Sequence, residues 1–518
     1  MDKRNWIALS VWSLLLAAIA RWPCIPFVNA ATLDPNFGLH ALSAASFSGN
    51  HPFRLESLGY PDGIPAQFIA IPTLLLAKLL SSFWNAVAAT HFAVWLWLAL
   101  QGIGSAMLFP EQPRRNLYLI ATAAILNPVH MVALGNGQWE NVAVWPILLT
   151  ATTLKKQHWI GFAFGLVLCA ACSPYILLAG LLCTIPFLKP HIAKWPLYTS
   201  VALVSALCLA YYNGAEHSQS AHIGPAPASI EEPAQLSGLI FPINHAEDGG
   251  IPLNGPLARL QQITELPRQK VYHSDWPWLQ ATAGSYLGLA LIGLAIAGWK
   301  RTKNKWLPIG IISSIGLSLG SAFPIMGFQI PLPWALASLT PLSNMAATYR
   351  FLAATTALLI LCMTHIKVTR LLAVGGIAVL IMDALLISPA HWPLRALEGQ
   401  PPEDIEHSGP IAFWPAAPLI APHSIIMTAL VFEQPLALFE DPSAEMPTAT
   451  GQVSAHSHRF NQFSESPDEW RERLLTNNID TLIQFQNMIG ERAHPFHAHH
   501  KTCGPQFCVI SLEKSENP

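Results

Sequence analysis

The sequence predicts an all-α polytopic membrane protein of about eleven transmembrane helices, followed by a small mixed α/β domain. Of its residues, 52% are hydrophobic and only 11% are charged, whereas soluble domains carry about 25% charged residues. No Asp, Glu, Lys or Arg occurs from Trp306 to Tyr349 or from Asn116 to Trp139. Because a hydrocarbon core needs roughly 20 apolar residues per helix, repeated runs of this kind indicate transmembrane helices.

The net charge of −2 and the absence of a basic domain give no indication of nucleic-acid binding.

The short loops between the apolar segments set the predicted orientation, because Lys and Arg concentrate on the cytoplasmic side of membrane helices. Basic pairs such as Arg114 with Arg115 and Lys155 with Lys156 all fall on one side when the segments alternate in direction. An odd number of spans then places the N-terminus in the cytoplasm and the C-terminus outside. The predicted spans are 6–29, 86–109, 116–134, 140–154, 158–173, 174–188, 195–212, 281–299, 306–324, 348–365 and 371–389.

This arrangement divides the chain into a transmembrane domain, residues 1–390, and an outer C-terminal domain, residues 391–518. The transmembrane domain has two large outer loops, 30–84 and 213–280. In the C-terminal domain, runs such as TLIQFQ and FCVISL have the composition of β-strands and are separated by turn-forming residues.

Residues 64–84, within the first outer loop, form an apolar run that is almost long enough to cross the membrane. Lys78 lies inside this run and Pro72 lies near its start. Both favour an interfacial helix that lies along the outer surface instead of a further span.

The cysteines fall into two groups. Cys503 and Cys508 bracket a Gly-Pro turn in the polar tail, and in an oxidising compartment such a pair is expected to form a disulfide. The remaining cysteines lie in apolar runs, where a thiol behaves as a small hydrophobic group. Cys169 and Cys172 have CxxC spacing, but without neighbouring His or acidic residues a structural role is favoured over metal binding.

The first outer loop contains Asp34, an acid just beyond the first membrane helix and therefore near the water interface. A carboxylate there can accept a proton from an attacking hydroxyl, or hold a metal that neutralises a phosphate leaving group. Asp34 followed by Pro35 is also a good helix start, so a helix cap is an alternative that is compatible with catalysis. His40 and Asp62 are further ligand candidates in this loop, although a Pro-Asp-Gly turn explains Asp62 equally well.

Arg350 follows the charge-free stretch at the outer end of the predicted helix 348–365. A charge at a membrane boundary costs on the order of 1–3 kcal/mol unless it snorkels or is paired. Because a guanidinium binds phosphate in a bidentate manner, a lipid phosphate is a natural partner for Arg350. Snorkelling to the lipid headgroups is the alternative.

His130, Gln138 and Glu140 surround the turn GNGQWEN. Glycines on both sides of Asn136 permit a tight bend with exposed amides, so this turn could face the same cavity as Asp34. The alternative is a polar connection without a substrate role.

Asp383, His245 and Asp248 are weaker candidates for a functional site. Asp383 lies inside the last predicted span, where an acid is a functional-site hypothesis by default, although a structural role in a polar interior is an alternative. His245 and Asp248 have a spacing that suits a metal, but a solvated loop is the favoured interpretation.

Several segments, taken in order along residues 1–395, resemble a known family. They are LDPNFGLHAL with LGYPDGIPAQFIAIP, LNPVHMVALGNGQWENVAVWPILL, CSPYILLAGLL, GSYLGLALIGLAIAG and LSNMAATYRFLAATTALLIL. Each motif alone is weak, and their order makes the resemblance. The chain resembles the bacterial, uncharacterised branch of the GT-C class of polyprenyl-phosphate-sugar-dependent membrane glycosyltransferases.

The resemblance implies a GT-C-like fold and an enzyme that acts on the periplasmic side of the bacterial cytoplasmic membrane. Its donor is then a sugar on a polyprenyl phosphate, and an acceptor hydroxyl of a glycan, lipid or protein attacks the anomeric carbon. Asp34 matches the family's base. The second acid of the family's paired motif is missing, because Pro35 follows Asp34, so no cofactor is firmly expected and a divalent metal stays open.

Two other functions stay open at this point. A flippase or transporter of lipid-linked intermediates usually contains inverted repeats, and no internal duplication is visible here. A non-catalytic homologue that only binds a lipid or a partner protein is the third reading, because a retained fold does not prove retained chemistry.

Overall fold

The computed structural model describes the helical part of the chain and a set of short strands. The described helical regions are 3–23, 70–84, 86–135, 138–188, 194, 196–204, 285–302, 304–325, 328–337, 348–388 and 392, with single positions between 234 and 240. The described pieces of the loops and tail are 31–32, 54–55, 58–60, 64–65, 396–397, 411–414, 436–437, 472, 475–476, 481–485, 500–503 and 507–512.

Helices dominate the described residues. In chain order they are α1 (Lys3–Arg21), α2 (Ile71–Leu80), α3 (Ala86–Met107), α4 (Arg114–Ile125), α5 (Pro128–Gly135), α6 (Val144–Lys155), α7 (Trp159–Cys172), α8 (Pro174–Leu188), α9 (Leu289–Trp299), α10 (Leu307–Ser318), α11 (Trp334–Ala337), α12 (Leu352–Met363) and α13 (Arg370–Met382). Short 3-10 turns over Trp139–Asn141 and Thr348–Phe351 precede α6 and α12, and a π-helical turn over Asp383–Ile387 extends α13.

The apolar residues are distributed as expected for a bundle in lipid. Every residue of α12 is buried, and 89% of the most apolar window of Arg114–Gly135 is buried. In α13, by contrast, Leu371 is 84% exposed and Val374 is 63% exposed. An apolar helix that exposes its large side chains needs a lipid or protein partner.

Three of the described helices are long and apolar enough to cross a membrane: Val87–Met107, Arg114–Gly135 and Arg370–Ile387. Six shorter apolar helices accompany them, among them α7, α8 and α10. With the exposed apolar side chains, these helices confirm a helical membrane protein. The count of about eleven spans stays a prediction.

Several predicted spans are shorter as helices than expected. Helix α1 ends at Arg21 within the predicted span 6–29, and α9 begins at Leu289 within the predicted span 281–299. The helix predicted over 306–324 is α10, which stops at Ser318, and Gly320 follows with a φ of 87°. The chain then forms an antiparallel hairpin of β5 (Ala322–Ile325) and β6 (Phe328–Pro331). Charge-free composition therefore marked apolar surroundings but did not separate helix from hairpin.

The predicted interfacial segment contains α2, which covers only Ile71–Leu80 and begins with a proline in its first turn. Thr73, Leu74 and Ala77 form its buried face. Leu75 and Leu79 are exposed on the other side. The helix has 10 residues, and its interfacial position stays a prediction.

The short strands join the first outer loop to the C-terminal tail. A six-stranded sheet has the order β11 (His500–Cys503), β12 (Phe507–Ser511), β10 (Thr481–Phe485), β8 (Ile411–Trp414), β9 (Leu436–Ala437) and β3 (Leu58–Tyr60). A separate pair joins β1 (Ala31–Thr32) to β7 (Ala396–Leu397), and β2 (Arg54–Leu55) pairs with β4 (Ile64–Pro65).

This pairing has two consequences. The strand predictions TLIQFQ and FCVISL are confirmed as β10 and β12, and Cys503 lies directly opposite Cys508 in the ladder of β11 and β12. Because β1 follows α1 and β7 follows α13, both helices end on the same side of the bundle. We call this side the sheet end.

Candidate functional site

The turn over residues 138–141 forms the centre of a buried polar region. The sequence LNPVH builds the approach to it, because Asn127 Oδ1 accepts a hydrogen bond from the His130 amide at 2.9 Å while Pro128 starts α5. This is a helix N-cap with proline in the first helical position. After the turn, the indole of Trp97 donates to the carbonyl of Val142 at 2.8 Å, which fixes the turn against α3.

Arg350 and Glu140 form an ion pair in this region. Arg350 Nη1 lies 3.3 Å from Glu140 Oε1, and the two side chains are 18% and 9% exposed. The guanidinium carbon also lies 5.0 Å from the ring centroid of Tyr175, near the start of α8. Arg350 Nε is buried and makes no hydrogen bond to any described residue.

A second contact connects the same turn to the 3-10 turn that precedes α12. Tyr349 donates its hydroxyl hydrogen to Gln138 Oε1 at 2.9 Å, and the Asn141 amide approaches the same oxygen at 3.5 Å. The structure thus brings Gln138, Glu140 and Arg350 together, and their binding of substrate stays a prediction.

Arg21 extends this polar region toward the sheet end, and the sequence analysis did not select it. This last residue of α1 is fully buried. Its Nη2 lies 2.8 Å from His91 Nδ1 and its guanidinium carbon lies 5.8 Å from the Trp139 ring. Trp139 and Glu140 are neighbours, so one turn contacts both arginines. The sequence feature that could have identified Arg21 is its position at the end of a membrane helix, where a charge is costly unless it is paired.

His130 does not join the other predicted site residues in hydrogen bonding. Its ring is fully buried, and neither ring nitrogen makes a hydrogen bond among the described residues. Its backbone amide serves the helix cap at Asn127. A substrate contact by His130 stays a prediction.

Asp383 has a structural role in the described bundle. Its Oδ1 accepts from the Tyr286 hydroxyl at 2.6 Å, and its Oδ2 accepts from the backbone amide of Ala290 at 2.8 Å. The carboxylate thus satisfies a donor in the first turn of α9, which is favourable at a helix N-terminus. Gly288 has a φ of 91°, and a β-carbon there would lie 2.9 Å from Asp383 Oδ2.

The remaining predicted ligands lie outside the described residues: Asp34, His40, Asp62, His245 and Asp248. Within the described part of the chain, no group of three His, Cys, Asp or Glu side chains is arranged to hold a metal ion. Cys169 and Cys172 are buried free thiols.

The arrangement can bind an oxyanion. A guanidinium offers five N–H donors, and Glu140 contacts only one edge of Arg350 while Tyr175 lies against its face. The buried Nε is an additional donor without a partner among the described residues. A phosphate or carboxylate oxygen is the natural acceptor for such a group.

The chain is similar to a solved membrane enzyme structure. No protein-family model and no curated protein matches the sequence. Among solved structures, the cryo-EM structure of the mycobacterial arabinofuranosyltransferase AftD is similar, with a TM-score of 0.54 and 13% sequence identity over 100% of this chain. The chain spans only 40% of the length of AftD. At this identity the similarity concerns the fold, and it supports a GT-C-like membrane fold for this protein.

Proposed function

We propose that this protein is a membrane glycosyltransferase that moves a sugar from a polyprenyl-phosphate donor to an acceptor hydroxyl on the periplasmic side of the bacterial cytoplasmic membrane. The observation that carries the proposal is the state of Arg350. Its guanidinium is held by Glu140 and Tyr175, while its buried Nε has no hydrogen-bond partner among the described residues.

Arg350 suits the phosphate of the donor for two reasons. The pair with Glu140 neutralises the buried charge in the absence of substrate, which reduces the cost of desolvation. The ion pair occupies Nη1, and the buried Nε has no partner among the described residues, so Nε can donate a hydrogen bond to a phosphate oxygen. Contacts with Tyr175 and Glu140 limit the orientations of the group and so prepare it for binding.

Asp34 is the proposed base. Its carboxylate removes the proton from the acceptor hydroxyl as the oxygen attacks the anomeric carbon of the sugar. The new glycosidic bond forms while the bond between the anomeric carbon and the phosphate oxygen breaks. The bonding electron pair stays on the phosphate, and Arg350 stabilises the charge that develops there.

The membrane surroundings suit a lipid-linked donor. Helices such as α13 expose large apolar side chains to the outside of the bundle, and a polyprenyl chain can occupy the same lipid phase. The structural neighbour is named an arabinofuranosyltransferase, so polyprenyl-phosphate arabinose is the first donor to test, followed by hexose donors.

Sugar transfer by the purified protein in detergent tests the proposal. A panel of radiolabelled polyprenyl-phosphate sugars is offered with glycan, lipid and peptide acceptors, and the labelled product is separated from the donor. Arg350→Ala is compared with Arg301→Ala, which removes an exposed charge outside the candidate site. We expect transfer by the wild type and by Arg301→Ala, and a strong loss in Arg350→Ala. Donor binding without transfer for every sugar would instead favour a lipid-binding or flippase role.

A further inference from the structure

The C-terminal tail contacts the end of α1 directly after the last helix. The Trp392 indole donates a hydrogen bond to the carbonyl of Ile19 at 2.8 Å. This carbonyl belongs to the last turn of α1 and also accepts a hydrogen bond from the Trp22 amide at 3.2 Å. A few residues further on, β7 pairs with β1 in an antiparallel ladder, with Ala396 opposite Thr32 and Leu397 opposite Ala31.

A second, separate contact joins the first outer loop to the tail. Strand β3 pairs in parallel with β9, and β9 in turn pairs with β8 in the six-stranded sheet. Strand β3 belongs to the loop 30–84, whereas β8 and β9 belong to the tail. The loop thus contributes an edge strand to a sheet that is otherwise built from the tail.

These two contacts flank the part of the sequence that contains Asp34. Strand β1 ends at Thr32, two positions before Asp34, and β3 begins at Leu58. A strand needs a partner to satisfy its backbone donors and acceptors. For β1 and β3, the partner comes from the tail in both cases.

We propose that the tail is a clamp that holds strands β1 and β3 of the first outer loop. The clamp consists of Trp392, β7 and β9. The catalytic consequence rests on the proposed function, because it assumes that Asp34 is the base. The tail then contributes to catalysis by holding the loop, and it does not act as an independent domain.

Disulfide cross-linking in the full chain tests the clamp without any assay of activity. Directly opposed residues of an antiparallel pair have Cα atoms about 4.5–5.5 Å apart, which is within the range that a disulfide bridges. The test variant is Thr32→Cys with Ala396→Cys, in a chain with a protease site inserted in the loop 213–280. The control variant is Thr32→Cys with Ala437→Cys, because Ala437 pairs with β3 and not with β1.

After oxidation and cleavage, we expect the two fragments of the test variant to stay joined on a non-reducing gel. The fragments of the control variant and of each single-cysteine variant should separate. Equal cross-linking in test and control variants, or separation of the test fragments, would overturn the clamp.

Transfer kinetics then test the catalytic consequence. Ala396→Pro removes a backbone donor from β7, whereas Ala396→Ser keeps it. We expect Ala396→Pro to lower kcat by about 100-fold, as small misplacements of catalytic groups do. The Kd for the donor should stay unchanged, because Arg350, Glu140 and Tyr175 belong to helices and their turns.

Unchanged kcat in Ala396→Pro, in a protein whose wild type transfers sugar, would refute a positioning role for the tail. Absence of transfer by the wild type would refute the proposed function, and the cross-linking result would still decide whether the clamp exists.

Discussion

Arg350 and Glu140 are separated by 210 positions in the sequence, and their side chains meet at 3.3 Å in a largely buried ion pair. Glu140 belongs to the turn before α6, and Arg350 belongs to the turn before α12. The pair ties these two turns together, and the hydrogen bond from Tyr349 to Gln138 at 2.9 Å repeats the connection one residue away. The candidate site is therefore held at two adjacent points.

Replacement of Arg350 by lysine should weaken donor binding while the protein still folds. Lysine keeps a positive charge beside Glu140 but loses the planar fork that binds two phosphate oxygens. Hydrogen bonds to charged groups contribute about 1.5–3 kcal/mol, so we expect the Kd for the polyprenyl-phosphate donor to rise roughly 10- to 100-fold. Isothermal titration in detergent measures this Kd. Equal affinities of Arg350→Lys and wild type would remove Arg350 from the phosphate site.

Glu140→Gln should lower the stability of the substrate-free protein and enlarge the stabilisation by the donor. Loss of one partner from a buried pair costs about 3–5 kcal/mol, and the partial exposure of Arg350 places the expected cost at or below the lower end. The donor phosphate restores a negative charge beside Arg350. Its addition should therefore raise the Tm of Glu140→Gln more than that of the wild type.

Gly288→Ala should destabilise the bundle. Gly288 has a φ of 91°, and a β-carbon there would lie 2.9 Å from Asp383 Oδ2 and 3.1 Å from Pro128 Cδ. Strain of this kind costs about 1–3 kcal/mol, and displacement of Asp383 would also weaken its bond to the Ala290 amide. Gly293→Ala is the matched control, because it lies within α9 and nothing is within 4 Å of its β-carbon. Thermal denaturation in detergent should separate the two variants, and equal Tm values would contradict this account.

Cys503 and Cys508 should form a disulfide in protein isolated from the membrane. They occupy opposed positions in β11 and β12, and the Cα separation in such a pair suits a disulfide. Mass spectrometry of the tail peptide after alkylation without reduction measures the bond, with Cys503→Ser as control. Alkylation of both thiols before reduction would contradict the prediction, and would also argue against an oxidising compartment around the tail.

Much of the fold follows from local composition. The apolar helix at 174–188 has the bounds that the sequence predicted, and those at 86–107 and 159–172 differ from prediction by one or two residues. The stretch from 306 to 324 was only partly predicted, because an apolar hairpin at a helix end has the same lack of charge as a helix. The pairing of β3 with a strand of the C-terminal tail could not be predicted, because strands of two or three residues show no recognisable alternation of polar and apolar residues.

The candidate residues could be selected from the sequence, but their contacts could not. Isolated polar residues in apolar runs pointed to Arg350, Gln138 and Glu140, and the structure shows that these side chains lie together. Their pairing joins distant turns and depends on tertiary packing. Arg21 was missed because an arginine at a helix end is usually explained by snorkelling. Only the packing of α1 against α3 and Trp139 shows that its guanidinium is buried.

Catalysis by Asp34 is tested by the turnover of a labelled polyprenyl-phosphate sugar by Asp34→Asn beside the wild type, with the donor Kd measured on the same samples. We expect the wild type to transfer the sugar and release polyprenyl phosphate. Asp34→Asn should bind the donor with unchanged Kd and lose transfer, because asparagine cannot accept the acceptor's proton. Transfer by Asp34→Asn at the wild-type rate, or no transfer by the wild type with any donor, would contradict the account.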